Sequence, residues 1–204
     1  RVIKFAFDLA RHRHRKRGVS QSVTCVDKSN VTRGCRLFRG IFNEISEQNP
    51  DIETHAAYID AFTMWLMRDP EDLDVVVLPN MFGDIATDLA SVLQGGLGMA
   101  ASANLGPKHM MFEPVHGSAP KYTGKNVVNP IATLQSVQMM FEALAYRKKD
   151  EDLDKCADIL QQAIQEHFEE GGVVTYDLGG DASTSEVGQA IADRCTAMLE
   201  QEFQ

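Results

Sequence analysis

An α/β layered fold is predicted for this 204-residue chain by three observations. Short β-branched runs alternate with helical patterns along the first half, as in strands that cross over through helices into a parallel sheet. The run Leu73-Asp74-Val75-Val76-Val77-Leu78 is almost continuously apolar, which suits a strand covered on both faces. At 44% hydrophobic residues, the chain is long enough to bury a core as one large domain or two small ones.

The elements follow in order. Val2, Ile3, Phe5, Ala6 and Leu9 mark an opening amphipathic helix, stopped by Gly18 after a basic last turn. Ser20 to Val26 alternates polar with apolar residues and reads as a strand ending near Asp27. A helix from about Thr32 to Gln48 is broken by Asn49-Pro50-Asp51. Ile52 to Ile59 is a second strand, and Asp60 to Arg68 a helix that Asp69-Pro70 stops. After the Leu73–Leu78 strand and Pro79, a helix is expected from Gly83 to about Leu93, and a glycine-rich loop from Gly95 to Pro107. Met110 to Glu113 is extended. Three helices complete the chain, at 130–147 with proline in its first turn, 153–168 and 185–203. The strand-rich first half and helix-rich second half predict two lobes, with the Gly95–Pro107 loop as the crossing.

Composition narrows the function classes. The net charge is −9, from 29 acidic and 20 basic side chains, so nucleic acid is not expected as the main partner. The Arg11–Arg17 basic run reads as a solvated helix end. No stretch approaches the roughly 18 apolar residues of a membrane span, and the residues from Arg1 onward lack the charged, apolar, small-residue pattern of a signal peptide. Cys25, Cys35, Cys156 and Cys195 form no CxxC pair and read as free thiols. An intracellular protein is expected, cytoplasmic or in the mitochondrial matrix of a eukaryote. Arg1 starts inside a helix with neither methionine nor cap, which predicts a piece of a longer chain.

Two constellations can carry chemistry. In Asn80-Met81-Phe82-Gly83-Asp84-Ile85-Ala86-Thr87-Asp88, Asp84 and Asp88 stand four apart on one helix face, where a hard divalent cation would offset their repulsion. Acidic residues also favour helix N-termini, and spacing leaves both readings open. Asp60 is positioned to cap its helix. Lys28 and Asn30 lie just past a strand end, where open α/β sheets bind ligands, although a lone lysine there is more often only a surface group. The second constellation, Glu113 to Asn129, is a turn-rich loop with glycines, hydroxyls, a histidine and a lysine, suited to a phosphorylated ligand. It is neither a P-loop nor GxGxxG.

These blocks resemble the β-decarboxylating dehydrogenases, the family of isocitrate, 3-isopropylmalate, homoisocitrate and tartrate dehydrogenases. NMFGDIATDLASVLQGGLGM at Asn80 to Met99 resembles the family signature. VDKSNV at Val26, YIDAFTM at Tyr58, EPVHGSAPKYTGKNVVNP at Glu113 and TYDLGG at Thr175 match further blocks in the family's order. The likeness is to the C-terminal part of family members, whose N-terminal portion would precede Arg1 and carry the arginines for the substrate carboxylates.

The resemblance implies a two-lobed isocitrate/isopropylmalate dehydrogenase-like fold, with residues 1–95 in the smaller dimerisation and catalytic lobe and 96–204 in the larger cofactor lobe. It also implies a homodimer with shared active sites, acting on a 2-hydroxy di- or tricarboxylate. Asp84 and Asp88 would bind Mg²⁺ or Mn²⁺ with Asp60 of the other subunit, and Lys28, Asn30 and Asp60 would serve catalysis. Glu113, His116, Gly117, Ser118, Ala119, Lys121, Tyr122, Asn129 and Tyr176 would meet NAD or NADP. Lys121, where NAD-using members typically carry aspartate, favours NADP. Asp27-Lys28 resembles isopropylmalate dehydrogenases and Leu78-Pro79-Asn80 isocitrate dehydrogenases, so the substrate stays open between them, with tartrate a weaker third. An inactive fragment or regulatory subunit is the alternative.

Overall fold

Every residue of Ser22–Asp27 is buried, and this segment, β1, is the middle strand of a three-stranded parallel sheet in the computed structural model. The structure describes residues 1–202, which divide into two units, one of residues 1–93 and one from Gln94 onward.

In the first unit β1 lies between β2 (Glu53–Tyr58) and β3 (Val75–Val77). The register sets Asp27 beside Tyr58 and Cys25 beside Val77, so the carboxyl ends of all three strands lie along one edge. Helix α1 (Val2–Arg17) covers one face through Ile3, Ala6, Phe7 and Ala10, a spacing that keeps them on one stripe. They pack with Val23, Cys25, Val75 and Val77, and with Phe42 and Ile45 of α2 (Arg33–Glu47). The Phe7 and Phe42 rings stand 5.7 Å apart. On the other face, α3 (Ile59–Arg68) and α4 (Asn80–Ser91) bring Phe62, Leu66 and Ala86 against Val26 and Ala57. The central strand β1 is therefore covered on both faces, whereas β2 at the edge buries only Ala57.

The basic run is held within this unit. Gly18, at φ 65°, closes α1 in the left-handed conformation that its missing Cβ permits. Arg11 donates to both oxygens of Asp51 at 2.8 and 2.9 Å, and Arg13 to Asp74 at 2.7 Å.

In the second unit, β4 (Ala101–Leu105) and β5 (Met110–Pro114) form an antiparallel hairpin covered by α5 (Ile131–Lys148). Helices α6 (Glu151–Glu169) and α7 (Thr184–Glu202) complete a core built on Met99, Ile131, Ala163, Ile164, Val187 and Ile191. Among the described residues, all four cysteines are free and no helix is long and apolar enough to cross a membrane.

Several boundaries differ from expectation. Helix α4 begins at Asn80, because Pro79 holds the extended cap position and Gly83 is an interior residue. The expected loop at 95–107 contains β4, whose small residues carry weak strand propensity and form a strand by pairing with β5. The strand expected at Leu73–Leu78 is only Val75–Val77. Pro130 is the cap of α5 rather than a residue of its first turn. Helix α6 starts two residues early, at Glu151, because the Asp150 side chain accepts from the N–H groups of Asp152 and Leu153. Phe203, the expected end of the last helix, lies outside the described residues. The strand expected at Ser20–Val26 from its alternation begins at Ser22 and ends at Asp27, and it is central with no solvent face.

Candidate active site

Within the first unit, the polar candidates collect at the carboxyl edge of the sheet. Lys28 follows β1 directly, Asp60 stands two residues past β2, and α4 starts three residues past β3. Strand direction alone sets this arrangement, since parallel strands in register send all their outgoing loops to one side.

The Lys28 Nζ donates to Asp60 Oδ1, and its ammonium also lies 5.8 Å from the centre of the Tyr58 ring. This bond holds the Asp60 carboxyl below the usual carboxylate range. Contrary to expectation, Asp60 does not cap α3. The cap position is Tyr58, which makes no side-chain cap bond, and Asp60 sits in the first turn with its carboxylate turned to Lys28. The loop after Lys28 is tied by Val31 N–H and Thr32 N–H, each donating to the Lys28 carbonyl at 3.0 Å. Asn30 is exposed on that loop.

Asp84 and Asp88 are exposed and one turn apart on α4. With the helix starting at Asn80, neither lies in the first turn, so a helix N-terminus does not account for them. Asn80 Nδ2 donates to Asp84 Oδ2 at 3.0 Å. Two hard carboxylates on one face suit Mg²⁺ or Mn²⁺, which take one or two protein carboxylates and complete the shell with ligand oxygens. Among the described residues, no three acidic, histidine or cysteine side chains gather to hold a metal. One copy thus offers two oxygen donors on α4 and keeps Asp60 paired with Lys28.

The second unit holds a cleft of about 740 Å³. His116, Gly117, Ser118, Ala119, Tyr122, Asn129 and Tyr176 line it, whereas Glu113 and Lys121 are exposed nearby in the chain and do not. His116 Nδ1 donates to the Gly117 carbonyl at 2.9 Å, and Ala119 takes a left-handed φ of 45° to turn the chain into Pro120–Tyr122. The Tyr122 and Tyr176 rings are 6.1 Å apart, and the neighbouring Tyr122 side chain raises the Tyr176 pKa. Asn129 is buried and its amide is held at both ends: Nδ2 donates to Asp177 at 3.1 Å, and Oδ1 accepts the Ile131 N–H at 3.0 Å.

Sequence reasoning missed Gly98, Asn126, Asp177 and Thr184 among the lining residues. A Cβ at Gly98 would lie 2.8 Å from Asp177 Oδ2 and 3.1 Å from Asn129 Cβ, so a larger residue there displaces one of them. Asn126, at φ 55°, accepts from Ser185 Oγ at 2.9 Å and from its N–H at 3.2 Å, tying the rim to α7. Asp177 lies inside the TYDLGG block, which was the available signal. The pairing of Asn126 with Ser185, 59 residues on, leaves no local trace.

The family model described as isocitrate/isopropylmalate dehydrogenase matches residues 1–191. A 3-isopropylmalate/3-methylmalate dehydrogenase of Methanocaldococcus jannaschii is 43% identical, over 95% of this chain and 56% of its own. A homoisocitrate dehydrogenase of the same organism is 42% identical, over 94% and 51%. The crystal structure of isocitrate dehydrogenase from Methylococcus capsulatus superposes with a TM-score of 0.83 at 39% identity, over 95% of this chain and 54% of that one. The chain spans about half the length of these relatives.

Proposed function

Because the chain belongs to the isocitrate/isopropylmalate dehydrogenase family, we propose that it serves the metal-dependent oxidative decarboxylation of a 3-substituted malate, with hydride passing to NADP or NAD. Isocitrate and 3-isopropylmalate are the leading substrates and tartrate a third. The observation that carries this reading is the placement of Lys28, Asp60 and the Asp84–Asp88 face at the carboxyl edge of one parallel sheet.

The roles follow from the side chains. Asp84 and Asp88 hold Mg²⁺ or Mn²⁺ together with Asp60 of a second copy. When bound, the cation supplies Lewis acidity at the substrate's hydroxyl and carboxylate oxygens, and the nicotinamide supplies the hydride acceptor. Lys28 Nζ, acting from the neutral amine form, would take the proton of the C2 hydroxyl as hydride leaves C2 and so become the ammonium, and Asn30 would orient the substrate beside it. Loss of CO₂ from the neighbouring carbon leaves a 2-oxo acid. The cleft of the second unit receives the dinucleotide along the loop from Glu113 to Asn129, with Lys121 beside a 2′-phosphate, which favours NADP. On this reading the first unit is the catalytic and dimerisation lobe and the second the cofactor lobe, and the enzyme works in the cytoplasm.

Sharing across a homodimer is supported by the pairing of Lys28 with Asp60 in one copy, which delivers both to a neighbour together. Exposed Met64, Trp65 and Met67 on α3 and Met81 and Ile85 on α4 offer apolar surface for the contact. The test is an assay of the natural protein with isocitrate, 3-isopropylmalate and tartrate against both cofactors and Mn²⁺. Mixing inactive Lys28→Met and Asp84→Asn subunits is expected to restore part of the activity, and no recovery despite proven subunit exchange would sink the shared site. No turnover with any substrate would favour a regulatory subunit or an inactive fragment.

A further inference from the structure

Asp27 is a charged side chain with no solvent exposure, one residue before Lys28. Its Oδ1 accepts the backbone N–H of Ser29 at 2.8 Å, which fixes the turn that carries Lys28. Its Oδ2 accepts Arg39 Nε of α2 at 2.8 Å. Arg39 in turn sends Nη2 to the carbonyl of Ala57 at 3.1 Å, three residues before Asp60. One ion pair, buried on its Asp27 side and half-buried at Arg39, therefore holds the loop leaving β1 and also grips the end of β2. Local bonds to the Lys28 carbonyl shape the first loop, but they do not reach the second strand. An apolar pair of similar volume would commonly serve stability as well as a buried salt bridge does, so stability alone gives no reason for charge here.

We propose that Asp27 and Arg39 are positioning residues that keep the Lys28 ammonium on the Asp60 carboxylate, so that one protomer presents both groups as a unit. The purpose given to that unit rests on the function proposed above, whereas its geometry does not.

Zero-length carbodiimide coupling of Lys28 Nζ to Asp60, read by peptide mass spectrometry on the folded natural protein, tests the geometry without any turnover. The wild-type protein is expected to give the Lys28–Asp60 amide. The double variant Asp27→Asn, Arg39→Met leaves no unpaired buried charge and is expected to lower the coupling yield about tenfold. Arg39→Lys, which keeps a cation for Asp27, should recover part of it. Arg13→Met removes the Asp74 ion pair elsewhere in the same unit and should leave the yield unchanged. If the double variant does not fold, Asp27→Asn alone carries the same expectation. A folded variant whose yield stays within twofold of wild type overturns the proposal, as does a wild-type protein that forms no such amide. In the dehydrogenase assay, the double variant is expected to lower kcat with little change in substrate KM. A fallen coupling yield with unchanged kcat would keep the positioning role and sink the role given to Lys28.

Discussion

The two units place polar groups by different means. In the first, β1, β2 and β3 run parallel and in register, so every loop that follows a strand is delivered to the same edge, and Lys28, Asp60 and α4 arrive there by topology. In the second, the cleft is shaped by turns: a left-handed Ala119, a left-handed Asn126 and a glycine at 98 that lets Asp177 approach Asn129. A site of the first kind tolerates changes in loop sequence as long as the strands pair, whereas a site of the second kind depends on individual backbone angles. The first unit should therefore lose function through single charges, and the second through single atoms of bulk.

The largest effect is expected from Asp84→Asn in the first unit. It should lower turnover of the natural protein by about a thousandfold, on the order of 4 kcal/mol, and weaken Mn²⁺ binding in a direct titration. An active variant with unchanged Mn²⁺ affinity would break the contrast. Phe7→Ala, under the same sheet, is expected to cost about 3–5 kcal/mol by denaturant unfolding, since Phe7 is 1% exposed and packs on Phe42. In the second unit, Gly98→Ala must move Asp177 or Asn129. It should cost about 1–3 kcal/mol, with a matching loss of dinucleotide affinity by calorimetry. Unchanged affinity would show that this cleft is less exact than its geometry implies. Lys121→Asp should shift the NADP-to-NAD preference about tenfold toward NAD without altering stability, because Lys121 is exposed.

The smallest effect concerns pH and sharpens the comparison through surface charge alone. Arg11 lowers the Asp51 pKa in the first unit, and Arg194 lowers that of Glu170 in the second. A lowered carboxylate contributes stability above its unfolded value of about 4 and loses it as pH falls through the folded value. Stability is therefore expected to hold from pH 7 to 5 and to decline below about pH 4, with Arg194→Met flattening part of that decline in acid titrations followed by circular dichroism.

How much was legible follows the same division. The Val75–Val77 core of the buried strand and the stripe of Ile3, Ala6, Phe7 and Ala10 are periodic signals, and they identify the covered faces of the first unit. The Asp84–Asp88 spacing survives the earlier start of α4, because four residues separate them in any helix register. Asp60 read as a cap because capping is a local signal, but its partner is Lys28, 32 residues away. Strand β4 was hidden because Ala-Ser-Ala-Asn carries little propensity of its own. Asn129, expected at the dinucleotide, does line the cleft, and the bonds that fix its amide there run to Asp177 and Ile131, which its local sequence does not reveal.

The sequence by itself determined the α/β class and most of the helices, which depend on spacing within a few residues, and the motif blocks that mark the family. Only the tertiary structure decided that β1 is central, that Lys28 meets Asp60, that Arg39 ties the end of β1 to the end of β2, and that Asn126 is pinned to α7. The physical reason is range. Periodicity, caps and breakers act through neighbours along the chain, whereas hydrogen bonds and ion pairs act over a few ångströms of space between residues that only folding brings together.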